Sequence, residues 1–581
     1  MTPTIKRRTF LAATLAAATG ASACGFSDNS DGEIGGNGDQ EGGTLRLSMV
    51  PISTLDPAIA GNASNGQIIM TGLWEGLVVH DPVDHYQVLP GVAAEWEISD
   101  DLLTFTFHLR RNAKWSNGDP VTAHDFEWNW KRLLTPGTSG EQAPSYNHSV
   151  MRVVGAESYL GGETDDFSTV GVKAHDDTTL EITLEAPNEN FLIELANFQC
   201  LPLHPATMEE VGGQGWLDPD VWVSNGAYVL GDFRINQGAV LLPNDQYWDK
   251  DSYHLSRWEI LFNDGGTTAD LLSYENDDID ITGRIEDDLE AVTTSDVGDE
   301  LVTSPMNQIR QLVVMNSRDT RLNDVRVRKA LALAIDREAV AEVGRPGEPG
   351  TSMIPDSVPG GEQVPGVEYD VDAARSLLAD AGYPDGDGMP TITVLDYQSS
   401  PWVEATAQMW RDNLGIDVTI DNVERGLYME KRHELHPEGY SGFYAINVSV
   451  SSLQIAAQRI VPSAATAGIV GLNLVPPDVA QEVLNAEAAG APVQQILDVL
   501  DANRYPAAQR AIELAREALA LTDPQAKEAK LVECAIARDE AFGEIPVLWG
   551  GYNLLVKPRV KNLELWPFGS VLSTKGVTIE G

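Results

Sequence analysis

The sequence predicts an α/β protein built from more than one lobe, and three observations predict it. A chain of 581 residues exceeds what one hydrophobic core keeps enlarging, and roughly 150 residues per lobe gives about 2–4 lobes. Strand-period and helix-period stretches alternate from Thr44 onward without an internal repeat. The composition, 43% apolar and 22% charged, is that of a water-soluble globular body. Beyond the leader, no stretch reaches the roughly 18 unbroken apolar residues of a membrane-spanning helix.

The elements follow from local pattern. Phe105, Phe107 and Leu109 alternate with Thr104, Thr106 and His108, which is the period of a half-buried strand. Ser116-Asn117-Gly118-Asp119-Pro120 then signals a turn. Thr122 with Asp125 three residues on resembles a capping box, and Phe126, Trp130 and Leu133 recur at helical spacing behind it. Leu180, Ile182 and Leu184 make a second half-buried strand, while Val327, Ala330, Leu331, Ala334 and Ile335 share one helix face. Asp372 is placed to cap a helix that Gly382 and Pro384 end. Ile392 to Leu395 reads as a strand, Val403 to Leu414 as a helix, and 510–542 as a helical pair broken at Thr522-Asp523-Pro524.

The first 24 residues read as a processing segment. Lys6, Arg7 and Arg8 form a basic region, Phe10 to Ala18 an apolar one, and Ala21-Ser22-Ala23-Cys24 a small-residue cleavage site ending in cysteine, the pattern of a lipobox. Lys6-Arg7-Arg8-Thr9-Phe10-Leu11 also resembles a twin-arginine signal, with an ordinary secretory leader as the other reading. The expectation is a membrane anchor through lipid on Cys24. Residues 25–43 hold seven glycines, five acidic residues and almost nothing apolar, so they read as a flexible tether. Its end-to-end reach is ~25 Å.

Charge narrows the function further. The net charge of −48 becomes −51 when the three basic leader residues are removed, which excludes nucleic-acid binding by phosphate neutralisation. Cys200 and Cys534 remain for the body, either as a disulfide or as two small buried hydrophobes. No G-x-S-x-G, S-x-x-K, P-loop or H-E-x-x-H motif occurs, so no enzyme and no cofactor is expected. His433-Glu434-Leu435-His436 has the wrong spacing for the zinc motif, and ordinary polar exposure is its simpler reading.

The block FTFHLRRNAKWSNGDPVTAHDFEWNWKRLLTP, ending at Pro136, resembles the signature of the oligopeptide- and dipeptide-binding proteins of bacterial ABC importers. Leu55-Asp56-Pro57, LWEGLV at 73–78, SNGAYVL at 224–230, YWD at 247–249, NDVRVRKALALAIDREAV at 323–340, YDVDAARSLLADAGYPDG at 369–386 and IPVLWGGYNLLVKPRV at 545–560 follow in the family's order. The resemblance runs from about Gly43 to Phe568. It implies a periplasmic-binding-protein-like α/β fold with two lobes joined by a hinge: lobe I from 44–74, 202–305 and 550–581, an inserted domain at 75–201, and a facing lobe at 306–549. It also implies a monomer that holds a small, peptide-like ligand and delivers it to permease subunits powered by two cytoplasmic ATPases. An extra stretch of about thirty residues falls within 459–503, with PPDVAQEVLNAEAAG helical, as a rim over the pocket or a plain surface excursion.

The resemblance also implies a ligand set: Gly61, Asn62, Tyr146, Trp402, Arg425, Arg432, Tyr440, Gly442, Phe443, Tyr444, Ala445, Ile446 and Trp549. In the family a G-[WF]-x-A-D-Y loop pairs its backbone with an extended peptide, and its Asp holds the ligand's amino terminus. Here that stretch is Gly442-Phe443-Tyr444-Ala445-Ile446-Asn447, with Ile446 at the Asp position. Ala60 and Tyr440 likewise stand where charged contacts are expected, and Trp402 falls where a His meets a peptide carboxylate. A free ammonium or carboxylate enclosed without a counter-charge carries several kcal/mol of uncompensated desolvation. The altered pocket therefore suits a capped or hydrophobic peptide, a glycan or a natural product.

Overall fold

A computed structural model describes residues 43–581 except 53, 59–63, 83, 85, 86, 137, 139–151, 189, 212–220, 264, 265, 284, 286–288, 306, 316–318, 344–346, 398, 433–435, 437–439, 451, 462–474, 489, 490, 492, 522, 567–571 and 581. The chain opens with β1 (Thr44–Met49) and leaves it through α1 (Ser64–Leu73). It then forms a four-stranded antiparallel sheet from β2 (Ala93–Ile98), β3 (Thr104–Leu109), β4 (Val172–Asp176) and β5 (Thr179–Thr183), in the order β2-β3-β5-β4. Helices α2 (Ala123–Leu134) and α3 (Phe191–Leu195) accompany it. The return strands β6 (Tyr228–Arg234), β7 (Gly238–Pro243) and β8 (Arg257–Phe262) join β1 in a sheet of order β1-β8-β7-β6.

Local chemistry explains these elements. Inward Phe105, Phe107 and Leu109 are buried as the alternation predicts. The following turn uses Gly118 at φ +95°, where a Cβ is disfavoured, with Asn117 bonded to Asp119 at 2.7 Å. The capping box forms reciprocally: Asp125 N donates to Thr122 Oγ1 at 3.3 Å and Thr122 N to Asp125 Oδ2 at 2.9 Å. Three separated motifs meet at Glu75, whose buried carboxylate accepts from Tyr247 Oη at 2.5 Å and Trp248 Nε1 at 2.6 Å. Asn225 brackets the same residue's backbone at 3.1 and 2.9 Å. Burial pushes the Glu75 carboxyl up to about 7.

Two segments then cross side by side into the second half. β9 (Leu301–Thr303) leads into β10 (Gln308–Val314), and the chain comes back much later through β14 (Glu544–Gly550) and β15 (Asn553–Leu555), with β9 and β15 antiparallel. Ser304 N donates to Tyr552 O and Tyr552 N to Ser304 Oγ, each at 2.8 Å. The segments approach so closely at Gly551 that a Cβ there would lie 2.3 Å from Ser304 O.

Between the crossings lie α4 (Val325–Leu333), α5 (Val371–Asp380), β11 (Ile392–Asp396), α6 (Pro401–Leu414), β12 (Val418–Asn422), α7 (Arg425–Lys431), β13 (Ser441–Ser449), α8 (Leu453–Ile460), α9 (Pro477–Ala488), α10 (Val493–Asn503), α11 (Pro506–Leu519) and α12 (Pro524–Glu540). The strands, with two-residue Glu348–Pro349, make a six-stranded mixed sheet running Glu348–Pro349, β14, β10, β13, β11, β12. The cap of α5 is Asp370 rather than Asp372: its side chain accepts from Ala373 N at 2.9 Å, and Asp372 sits inside the first turn. Helix α9 starts where the sequence predicts it, and α9 and α10 share a small core of Val479, Val483, Ile496 and Leu500. Asp501 ties this pair to Arg504 and, at 2.7 Å, to Arg516. Cys200 and Cys534 are both buried and unbridged, the latter donating to Ala511 O at 3.5 Å.

Candidate functional site

Strand β13 organises the site because it has two different edges. It pairs antiparallel with β10 along 443–449, but parallel with β11 only from Ser441 to Tyr444. In an antiparallel ladder, alternate residues turn their N–H and C=O toward the partner. Met315 N bonds Gly442 O at 3.0 Å and Val450 N bonds Asn307 O at 3.1 Å, so the even-numbered residues of β13 face β10. Ala445, Asn447 and Ser449 therefore turn their backbone groups outward. Tyr428 Oη donates to Ala445 O at 2.6 Å and Arg459 to Ser449 O at 2.5 Å. Between these two, no strand among the described residues pairs the outward side of Asn447. This is the edge a short extended chain can join.

Asn447 lines a small recess that opens to solvent. Gln308 and Arg310 enter it from β10, and Ile285, Gly551, Tyr552 and Asn553 enter it from the first half and the crossing segment. Residues of both halves thus meet around one exposed piece of β13. On the first-half side, Asp56 of the Leu55-Asp56-Pro57 motif is buried against Arg132 of α2, which grips both carboxylate oxygens. Asp56 also accepts from Ala58 N at 3.0 Å, fixing the chain just before residue 59.

The two faces of the six-stranded sheet differ. One carries a dry core in which Leu312, Val394, Phe443, Ala445, Ile545 and Leu548 pack against α4, α5 and α6. The other carries Val313, Met315, Leu395, Tyr397, Tyr428, Tyr440, Tyr444 and Ile446. Tyr397 and Tyr428 lie 4.7 Å apart between ring centroids, and Tyr428 meets Tyr444 edge-on at 6.5 Å. Tyr440 stacks on His436 at 4.1 Å, and the Arg432 guanidinium lies 5.9 Å from the Tyr428 ring. Burial pushes the Tyr440 hydroxyl up to about 12 and raises Tyr428 and Tyr444 as well, so these hydroxyls act as neutral donors.

The residues predicted to touch ligand separate accordingly. Tyr444 and Ile446 belong to the tyrosine face, with Tyr440 and Arg432 beside them. Gly442 is enclosed, since a Cβ there would stand 2.7 Å from both Met315 Cε and Thr393 O. Phe443, Ala445 and Trp402 place their side chains in the dry core, with Phe443 against Trp410 at 5.4 Å and Trp402 4% exposed, while the backbone carbonyl of Ala445 stays on the outward edge of β13. A strand turns successive side chains to opposite faces, so 443 and 444 cannot both look the same way. Trp549 is also a core ring, packed with Ile309 and α8 residues, its Nε1 donating to Ser352 O at 2.9 Å. Arg425 begins α7, but its side chain, like Gly61, Asn62, Tyr146 and Cys24, lies outside the described residues. Sequence reasoning missed Tyr397, Tyr428 and Arg310. The signal for Tyr397 was its place two residues beyond Leu395, just past the end of β11, in line with that strand's alternation.

The fold and the recess define a two-lobed solute-binding protein. Residues 87–447 match the model for "Bacterial extracellular solute-binding proteins, family 5 Middle". The chain is 32% identical over 406 residues to the periplasmic oligopeptide-binding protein OppA of Salmonella typhimurium, covering 67% of this chain and 72% of that one. It is also 32% identical over 390 residues to a probable deoxycholate-binding periplasmic protein, YgiS, of Escherichia coli, covering 65% and 71%. The solved structure of the Escherichia coli murein tripeptide binding protein MppA superposes with TM-score 0.71 at 25% identity, over 93% of this chain and 99% of that one. The chain belongs to family 5 of the bacterial extracellular solute-binding proteins. Among the described residues no helix is long and apolar enough to cross a membrane.

Proposed function

We propose that the protein captures a peptide-like solute outside the cytoplasm and hands it to the permease of an ABC importer, without chemical change to the solute. The observations that carry this reading are the outward edge of β13 at Asn447, which no strand among the described residues pairs, and a recess that Asn447 lines together with residues of both halves of the chain. An extended peptide laid there adds a strand to β13, and its side chains fall alternately toward the tyrosine face and the recess. The reading includes lobe I at 44–74, 202–305 and 550–581, an inserted domain at 75–201, a facing lobe at 306–549, and a monomer held to the membrane by lipid on Cys24 through the 25–43 tether.

Ile446 favours ligands without a free ammonium at that point, because no carboxylate sits there to offset its desolvation. Thermal denaturation against N-acetylated, free and amidated peptides tests this. A true ligand at one hundred times its Kd adds ~2.7 kcal/mol of stability, and blocked peptides should raise Tm more than free ones. A larger shift from free peptides would overturn the preference. The tyrosine face also supports a second reading, an apolar polycyclic ligand, which predicts a shift with deoxycholate and none with any peptide.

A further inference from the structure

Besides the two crossing segments, the halves of the chain touch at a second place, and that contact is polar on both sides. From the first half come Asn188, Asn190 and Glu194, at and just before α3. From the second come Ser452, Gln454 and Gln458 of α8 with its cap, and Lys527 of α12. Gln454 Nε2 donates to Asn188 Oδ1, and Asn188 Nδ2 passes the chain on to Glu194 Oε2 at 3.0 Å. Asn190 Nδ2 meets Ser452 Oγ at 3.3 Å, and Lys527 Nζ donates to Pro187 O at 3.3 Å. Glu194, Asn188 and Gln454 are each 2% exposed and Lys527 1%. The apolar residues of the same helices turn elsewhere: Phe191 and Leu195 into the first core, Leu453, Ala456 and Ile460 into another.

A fixed contact of this depth would normally be sealed with apolar side chains. One that opens and closes keeps polar groups that water can satisfy when the surfaces part. We infer that the contact of Pro187, Asn188, Asn190 and Glu194 with helices α8 and α12 is a reversible latch between the lobes, and that its closing takes up a proton on Glu194. This rests on the two-lobed capture reading and adds to it a condition under which the lobes shut without ligand.

The proton follows from the surroundings of the carboxyl. Asn188 satisfies Glu194 Oε2, whereas Oε1 has no hydrogen-bond partner among the described residues. Desolvation raises its pKa well above the ordinary glutamate range, with Asn188, Arg459 and Lys527 acting in the opposite direction. Those two cations and the Cys200 thiol are the titratable or charged groups that interact with it from the neighbouring elements. Parted, the carboxyl is solvated and titrates as an ordinary glutamate. Between those two values the closed form holds a proton that the open form does not, so closure is favoured as pH falls and lost as pH rises.

Ligand-free protein carrying spin labels at Asp165→Cys and Glu528→Cys, both exposed positions, reads the separation directly. The closed-to-open ratio should fall by up to about tenfold per pH unit as pH rises above the ordinary glutamate range. In Glu194→Gln the ratio should become independent of pH, while Gln454→Ala should lower it at every pH. Far-UV circular dichroism checks that both variants fold. An identical pH profile in wild type and Glu194→Gln, or an unchanged separation in Gln454→Ala, would overturn the latch. Because no ligand is present, a failure here leaves peptide capture standing, and a failed peptide panel leaves this result readable.

Discussion

The two faces of the six-stranded sheet use similar residue types to opposite ends. On one, Trp410 and Phe443 are sealed under three helices, and the Trp410 indole N–H is spent on Leu331 O at 2.8 Å. On the other, Tyr397, Tyr428, Tyr440 and Tyr444 cluster around a single short helix, and the hydroxyl of Tyr428 guards the edge of β13. The first arrangement fixes the strands, and the second leaves part of them addressable. Aromatic content alone therefore does not distinguish the two faces. What distinguishes them is that one aromatic cluster lies beside backbone whose neighbour strand has stopped.

That contrast can be broken by substitution. Trp410→Ala should cost the most, about 3–5 kcal/mol of stability read by denaturant unfolding, with the order of ligand preference unchanged. Arg328→Lys should cost about 2–3 kcal/mol, because the buried guanidinium bonds Ala541 O, Phe542 O and Leu322 O and an ammonium cannot reach all three. Tyr428→Phe should cost only about 1 kcal/mol of stability yet alter ligand affinity, since it frees Ala445 O at the edge of β13. Asp370→Ala should lower stability by about 1 kcal/mol, whereas Asp372→Ala should stay within about 0.5 kcal/mol. If Trp410→Ala changed ligand preference while Tyr428→Phe did not, the roles of the two faces would be reversed.

Much of the fold was legible because its signals are local. The strand at 104–109, the turn at Gly118, the Thr122–Asp125 box and helices α6, α9, α11 and α12 all express patterns within a few residues. The candidate site was legible as a stretch but not as a surface. Gly442 to Asn447 was found, yet which sheet face each of its rings takes depends on the strand alternation and on what packs against each side. Likewise Trp402 looks like a pocket residue until α6 is seen to lay it into the core. The buried role of Glu75 was hidden for the same reason, since its partners come from motifs some 150 and 172 residues away.

Amide hydrogen exchange across 441–449, with and without a saturating ligand from the peptide panel, tests strand addition most directly. Exchange at Asn447 should slow at least about tenfold on binding, with the α6 amides unchanged. A ligand that raises Tm while leaving Asn447 exchange as it was would contradict strand addition.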